Sequence, residues 1–118
     1  MNIRTTLMTA AILLGMTGIA GAAAPASKTV DISAKNFAFT PAVVTLKEGQ
    51  PTTLKLVATQ GAHGLVAPEI GLTKMATITN APTTVTVTPQ KAGTFVEHCA
   101  LFCGAGHANM TITFKVVK

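Results

Sequence analysis

Hydrophobic and polar positions alternate along most of the chain beyond its N-terminal region. In the run Met110–Val116 four apolar side chains share one face, and the stretch Thr84–Thr88 alternates equally cleanly. Leu54 and Leu56 share a face, with Lys55 between them. A period of two residues is typical of half-buried β-strands, and a sustained helical period is missing here. The pattern predicts an all-β sandwich.

Turn-forming residues separate these runs. Clusters containing Gly or Pro fall at residues 47–51, 80–82 and 91–93. Gly and Pro favour the backbone angles of tight turns, so each cluster marks the end of a short strand. A chain of 118 residues has room for one such domain, which we place at residues 30–118.

The first 22 residues differ from the rest. Arg4 makes the N-terminus positive, the stretch Leu7–Ala20 is largely apolar, and Ala20–Ala22 forms a small-residue cleavage site. This order is typical of a secretory signal peptide, so we expect a signal peptide at 1–22, a flexible leader at 23–29 and a periplasmic domain. An uncleaved membrane anchor is the alternative, because the apolar run is close to the ~18 residues that a span requires.

Charge and composition exclude some functions. After residue 22 the chain has eight lysines and four acidic residues, and they are scattered singly. Nucleic-acid-binding proteins present clustered basic residues, so no nucleic-acid partner is expected. The sequence also offers no nucleophile paired with a base, and we therefore predict no catalytic site of its own.

Potential metal ligands are concentrated near the C-terminus. Both cysteines, two of the three histidines and a methionine lie within residues 98–110. Thiolate, imidazole and thioether together select soft transition metals, and copper in particular. Zinc also binds Cys and His, but a thioether adds little to a zinc site.

This segment has two other interpretations. Cys99, Cys103 and the ligands after them would also form one stripe of an α-helix. Gly104 and Gly106 oppose a helix, since each costs about 1 kcal/mol relative to Ala. A Cys99–Cys103 disulfide would close a very small loop, where the entropic benefit is least, and would leave His107 without a role. A loop between two strands that folds around a metal is the preferred interpretation.

The pattern C-x-L-x-C-G-x-G-H-x-x-M, from Cys99 to Met110, resembles the binuclear copper (CuA) loop of cytochrome c oxidase subunit II. That family supplies one more histidine from a segment H-x-x-x-P followed by glycine, which His63–Gly71 matches. The resemblance covers roughly Val30 to Val117 and implies a cupredoxin-like Greek-key β-sandwich.

The resemblance also implies a set of metal ligands. The two thiolates would bridge two copper ions, each histidine would give one imidazole, and a thioether and a main-chain carbonyl oxygen would be weak ligands. The function implied is one-electron transfer with a redox partner such as a cytochrome or a respiratory complex. The residues concerned are His63, Cys99, Leu101 (through its carbonyl), Cys103, His107 and Met110.

Departures from that family keep other functions open. The chain has no Trp and no Tyr, although the family commonly uses aromatic residues near the copper. It resembles a detached CuA domain more than a whole oxidase subunit, so membership of a cytochrome c oxidase-type complex stays open. The alternatives are a periplasmic copper chaperone and a mononuclear cupredoxin that uses His63, Cys103, His107 and Met110.

Some nearby residues have less specific interpretations. Phe102 is expected either to shield the thiolates or to pack in the core. Phe37 and Phe39, two residues apart, are expected in an early strand, and Met75 is expected to pack. His98 precedes the first cysteine and is expected to face solvent.

Overall fold

The computed structural model describes residues 28–118, which contain nine strands and two short 3-10 helices. The predicted signal peptide lies outside the described residues, as does the leader up to residue 27. The first strand already begins at Lys28, within the predicted leader. The strands are β1 (Lys28–Lys35), β2 (Ala38–Thr40), β3 (Val43–Lys47), β4 (Thr52–Ala58), β5 (His63–Ala67), β6 (Leu72–Ile78), β7 (Thr83–Val87), β8 (Gly93–His98) and β9 (Thr111–Val117).

The strands form two main sheets and one further pair. One sheet has the order β2-β1-β4-β7, the other has the order β3-β9-β8, and β5 pairs with β6. Strand β1 runs parallel to β4 and β3 runs parallel to β9, whereas the other pairings are antiparallel. The 3-10 helices are Pro68–Ile70, after β5, and His107–Asn109, before β9.

The core follows the alternation seen in the sequence. Leu54 and Leu56 are fully buried, while Lys55 between them is exposed. The C-terminal strand likewise buries Ile112, Phe114 and Val116. Burying an aliphatic or aromatic side chain contributes roughly 1.5–3 kcal/mol, so these faces hold the two sheets together. The predicted all-β sandwich is confirmed.

The fold brings the ligand segments together at one end of the sandwich. His98 at the end of β8 pairs with Thr111 at the start of β9, so the two strands emerge side by side. The residues between them form a loop, so the α-helical interpretation of this segment is wrong. The loop ends in the second 3-10 helix. Strand β5 begins at His63, and the amide of Ala100 donates to the Gly64 carbonyl at 2.8 Å.

Within residues 28–118, we find no helix with the length and apolar character needed to cross a membrane.

Candidate metal centre

Cys99 forms one half of the candidate centre. It follows directly after β8, is almost fully buried, and its amide donates to the Met110 carbonyl at 2.9 Å. Its sulfur lies 3.9 Å from Nδ1 of His63. The same thiol donates to the carbonyl oxygen of Leu101 at 3.2 Å. One sulfur, one imidazole nitrogen and one carbonyl oxygen therefore meet at this side.

Cys103 forms the other half, four residues further along the loop. Its sulfur lies 3.5 Å from Nδ1 of His107, the first residue of the second 3-10 helix. The Cys103 thiol also points to the Met110 sulfur at 3.8 Å. Met110 is fully buried at the end of the loop, so its thioether is held by the core. This half has one sulfur, one imidazole nitrogen and one thioether.

The two halves are adjacent. The ligand atoms of His63, Cys99 and Cys103 all lie within 4.8 Å of one another, and both cysteines are free thiols. Two ligands bound to one ion at about 2.0–2.3 Å in tetrahedral geometry are separated by about 3.3–3.8 Å. The measured separations are close to that range, so the donor set fits a soft transition metal with little rearrangement. All six residues that the sequence predicted are brought together.

The imidazole of His63 is oriented by a backbone contact. Its Nε2 lies 2.7 Å from the carbonyl oxygen of Gln60 and donates a hydrogen bond to it. The proton is therefore on Nε2, and the Nδ1 lone pair is free to face Cys99. Because His63 is fully buried, this hydrogen bond also satisfies a polar group that water does not reach.

The thiol of Cys103 stays protonated over a wider pH range than an ordinary cysteine. Partial burial raises the pKa of Cys103, and the hydrogen bond and the charge of Cys99 raise it further. A backbone hydrogen bond lowers this pKa and so offsets part of the increase. A metal binds the thiolate, so metal binding must displace this proton. Metal affinity should therefore increase as the pH rises.

The hydrophobic residues around the loop differ in burial or location from what the sequence predicted. Phe102 is 78% exposed, so the core-packing alternative is wrong, and its ring lies 5.4 Å from the His107 ring. Phe37 lies in the turn between β1 and β2 instead of in a strand. Met75 is partly exposed, and its sulfur covers Gly64. His98 is exposed, in agreement with its expected position.

A pair of carboxyl groups connects β8 with the first 3-10 helix. Glu97 is on β8, and Glu69 is in the first 3-10 helix, which follows β5. Desolvation, together with the hydrogen bond to Glu69 and the charge of Glu69, raises the pKa of Glu97 to about 7. The hydrogen bond that the Glu97 carboxyl donates keeps the pKa of Glu69 below its ordinary value. The pair therefore shares a proton near neutral pH.

Replacing Glu97 with glutamine should stabilise the metal-free, reduced domain at alkaline pH. Because the folded state raises the pKa of Glu97, its contribution to stability is fully present below pH 4.5 and is lost as the pH rises through about 7. Glutamine cannot ionise, so we expect Tm to rise by a few degrees at pH 8 and to change little at pH 5. Glu48→Gln, in an exposed turn, is the control. An equal gain at both pH values would contradict the shared proton.

The comparisons with known proteins agree with this architecture. A profile of the cupredoxin-like domain matches residues 6–113, and the chain belongs to this family. Comparison with curated protein sequences gives no match.

Three solved structures are similar in fold. The periplasmic domain of cytochrome oxidase subunit II (CoxB) of Bradyrhizobium japonicum has a TM-score of 0.68 at 15% identity, over 77% of this chain and 84% of that one. The metal-binding domain of the Cu(I)-exporting ATPase CopA of Streptococcus pneumoniae has a TM-score of 0.56 at 18% identity, over 78% and 87%. Auracyanin A, a blue copper protein of Chloroflexus aurantiacus, has a TM-score of 0.53 at 16% identity, over 78% and 100%. At these identities the similarity establishes a shared fold.

Several residues that support the site were not identified from the sequence. The Gln60 carbonyl orients His63, and the ring of Phe37 packs on the ligand loop. A backbone carbonyl carries no residue-specific signal, so no motif could have indicated Gln60. The pairing of Phe37 with the two loop glycines depends on a contact across more than sixty positions of sequence.

Proposed function

We propose that this protein is a periplasmic one-electron carrier with a binuclear CuA centre. The observation that carries the proposal is the matched pairing at the two sulfurs. Cys99 has one imidazole and the Leu101 carbonyl oxygen beside it, and Cys103 has another imidazole and a thioether. Two sulfurs that each have their own set of weaker ligands suit two bridged ions better than one.

The residues of the chain would each have a defined task in that centre. Cys99 and Cys103 would bridge the ions, His63 and His107 would bind through Nδ1, and the Gln60 carbonyl would keep His63 in the required tautomer. Bound copper would supply the one-electron redox couple. The distances between the ligand atoms are already close to those expected around a bound ion. A change of oxidation state would therefore require little movement of the protein.

An apolar surface next to His107 supports exchange of electrons with a partner protein. The exposed ring of Phe102 is tilted by 52° against the His107 ring. The loop from Cys99 to Met110 contains no Lys, Arg, Asp or Glu, so a partner can approach without desolvating a charge. These features support the proposal that a cytochrome or a respiratory complex would contact this loop.

Two other functions fit the site less well. A copper chaperone needs exchangeable ligands, whereas His63, Cys99 and Met110 are buried here. A mononuclear centre built on Cys103 would leave Cys99 idle, although its sulfur lies beside the His63 imidazole. Both features favour a permanent centre that uses both thiols.

Copper loading of the reduced protein tests the proposal. We expect two copper ions per chain and a seven-line EPR pattern, because one unpaired electron would be shared equally between two copper nuclei. One ion with a four-line pattern would indicate the mononuclear centre instead. Colourless Cu(I) that is lost rapidly to a chelator would indicate a copper-handling protein.

A further inference from the structure

The turn between β1 and β2 contacts both segments that carry the proposed ligands. We call this turn, formed by Asn36 and Phe37, the β1–β2 turn. Neither residue belongs to the ligand motifs of the sequence. Asn36 contacts the segment that carries His63, and Phe37 contacts the segment that carries Cys103 and His107.

Asn36 contacts the loop that leads to His63. The backbone amide of Asn36 donates to the side-chain oxygen of Gln60 at 3.2 Å. Gln60 is also the residue whose backbone carbonyl accepts from His63 Nε2. The side-chain oxygen of Asn36 covers Gly61, at 2.9 Å from where a Cβ atom on that glycine would lie. The backbone that orients His63 is therefore held from outside by Asn36.

Phe37 contacts the segment between Cys103 and His107. Its ring covers Gly104, where a Cβ atom would lie 3.0 Å from the ring, and a Cβ atom on Gly106 would overlap the ring itself. Only glycine allows the loop backbone to approach an aromatic ring this closely. The backbone hydrogen bonds of His107 and Asn109 are local to the loop, so the ring of Phe37 adds a connection to the sandwich besides the buried side chain of Met110.

We propose that the β1–β2 turn sets the separation of the two ligand-bearing segments. Asn36 holds the His63 side and Phe37 holds the side of Cys103 and His107, which makes both positioning residues. Held in this way, the ligands keep their arrangement without metal and retain bound copper longer. This role rests on the proposed copper function, but the packing that underlies it can be measured in the metal-free protein.

Removal of the ring tests the role in copper retention. In Phe37→Ala we expect copper release to a chelator to accelerate about tenfold or more and the EPR hyperfine pattern to change, with Phe37→Leu in between. Gln60→Met, which removes the acceptor for the Asn36 amide, should act in the same direction. Phe95→Ala is the matched control, because the ring of Phe95 packs against Gly93, which begins β8, whereas Cys99 follows the other end of that strand. Release from this control at the wild-type rate is expected, and equal acceleration in it would overturn the proposal.

A double-mutant cycle in the metal-free, reduced protein tests the contact itself. Gly106 has φ −91°, so alanine fits the backbone, and the three heavy atoms nearest to its methyl group would all belong to Phe37. We expect Gly106→Ala to lower the denaturation midpoint strongly in the wild-type background and only slightly in the Phe37→Ala background. Faster amide exchange at His107 in Phe37→Ala should accompany this, since that amide donates to Gly104.

The outcomes separate this proposal from the proposed function. Additive effects in the cycle, with His107 exchange unchanged, would overturn the role of Phe37 whether or not copper binds. Strong coupling in a protein that binds no copper would support the packing role and would refute the CuA function. If Gly106→Ala alone does not fold, the double variant takes its place as the test. In that case, a double variant that folds supports the contact. The contact is refuted if the double variant also fails to fold and His107 exchange is unchanged in Phe37→Ala.

Discussion

Replacing Cys99 with serine is expected to reduce the copper content from two ions per chain to one. A serine hydroxyl does not ionise near neutral pH and is a poor ligand for soft metals, so the bridge on the His63 side would be lost. The seven-line EPR pattern should become a four-line pattern. A blue or red mononuclear site can remain on Cys103, His107 and Met110, whose ligand atoms lie together without Cys99. Metal analysis and EPR on the same sample measure both effects.

The matched variant Cys103→Ser distinguishes the binuclear centre from a mononuclear one. If both thiolates bridge, either substitution abolishes the seven-line pattern. If Cys99 is idle, Cys99→Ser leaves the spectrum unchanged and Cys103→Ser removes the colour. Two coppers and an unaltered spectrum in Cys99→Ser would refute the bridging role.

Replacing His63 with alanine should weaken copper binding on the Cys99 side by at least about 100-fold. Loss of residues that only orient a ligand costs 10–100-fold in affinity, so loss of the ligand itself should cost at least as much. Because His63 is fully buried, the vacated position would not be open to solvent, and water could not readily replace the imidazole as a ligand. Competition with a chelator of known affinity measures the change for each of the two ions.

His98→Ala is the control for this substitution. His98 is exposed at the end of β8, next to Cys99 in sequence but on the outer face of the strand. We expect its copper content, EPR spectrum and copper affinity to match those of the wild type. Equal losses in His63→Ala and His98→Ala would show that His63 is not a specific ligand. The metal-free His63→Ala protein should also be checked for folding by circular dichroism.

The strands and their buried faces could be predicted because alternation is a local property. Lys55 between two leucines has one favourable arrangement, with the leucines inside and the lysine in water, and the structure has this arrangement. The loop also followed from local chemistry. Gly104 disfavours a helix, and in the structure it has φ +133°, a conformation that other residues rarely adopt.

The hydrophobic residues around the site could not be placed in the same way. Phe102 and Phe37 are equally apolar, yet one is largely exposed and the other covers the ligand loop. Their burial depends on which distant backbone segment lies beside them, and hydropathy carries no information about that partner. The pairing of Glu69 with Glu97 was missed for the same reason, since each carboxylate alone is typical of a surface.

The sequence by itself determined the strands, the chemistry of the candidate metal ligands and, through the spacing of Cys99, Cys103, His107 and Met110, the order in which the loop presents them. These are properties of residue type and short separation, which act before any distant contact forms. Only the tertiary structure decided that Nδ1 of His63 lies 3.9 Å from a sulfur 36 positions away, and that the β1–β2 turn contacts both ligand segments. Such contacts depend on how the strands pair across the sandwich, because packing joins residues by shape and burial and not by their distance along the chain.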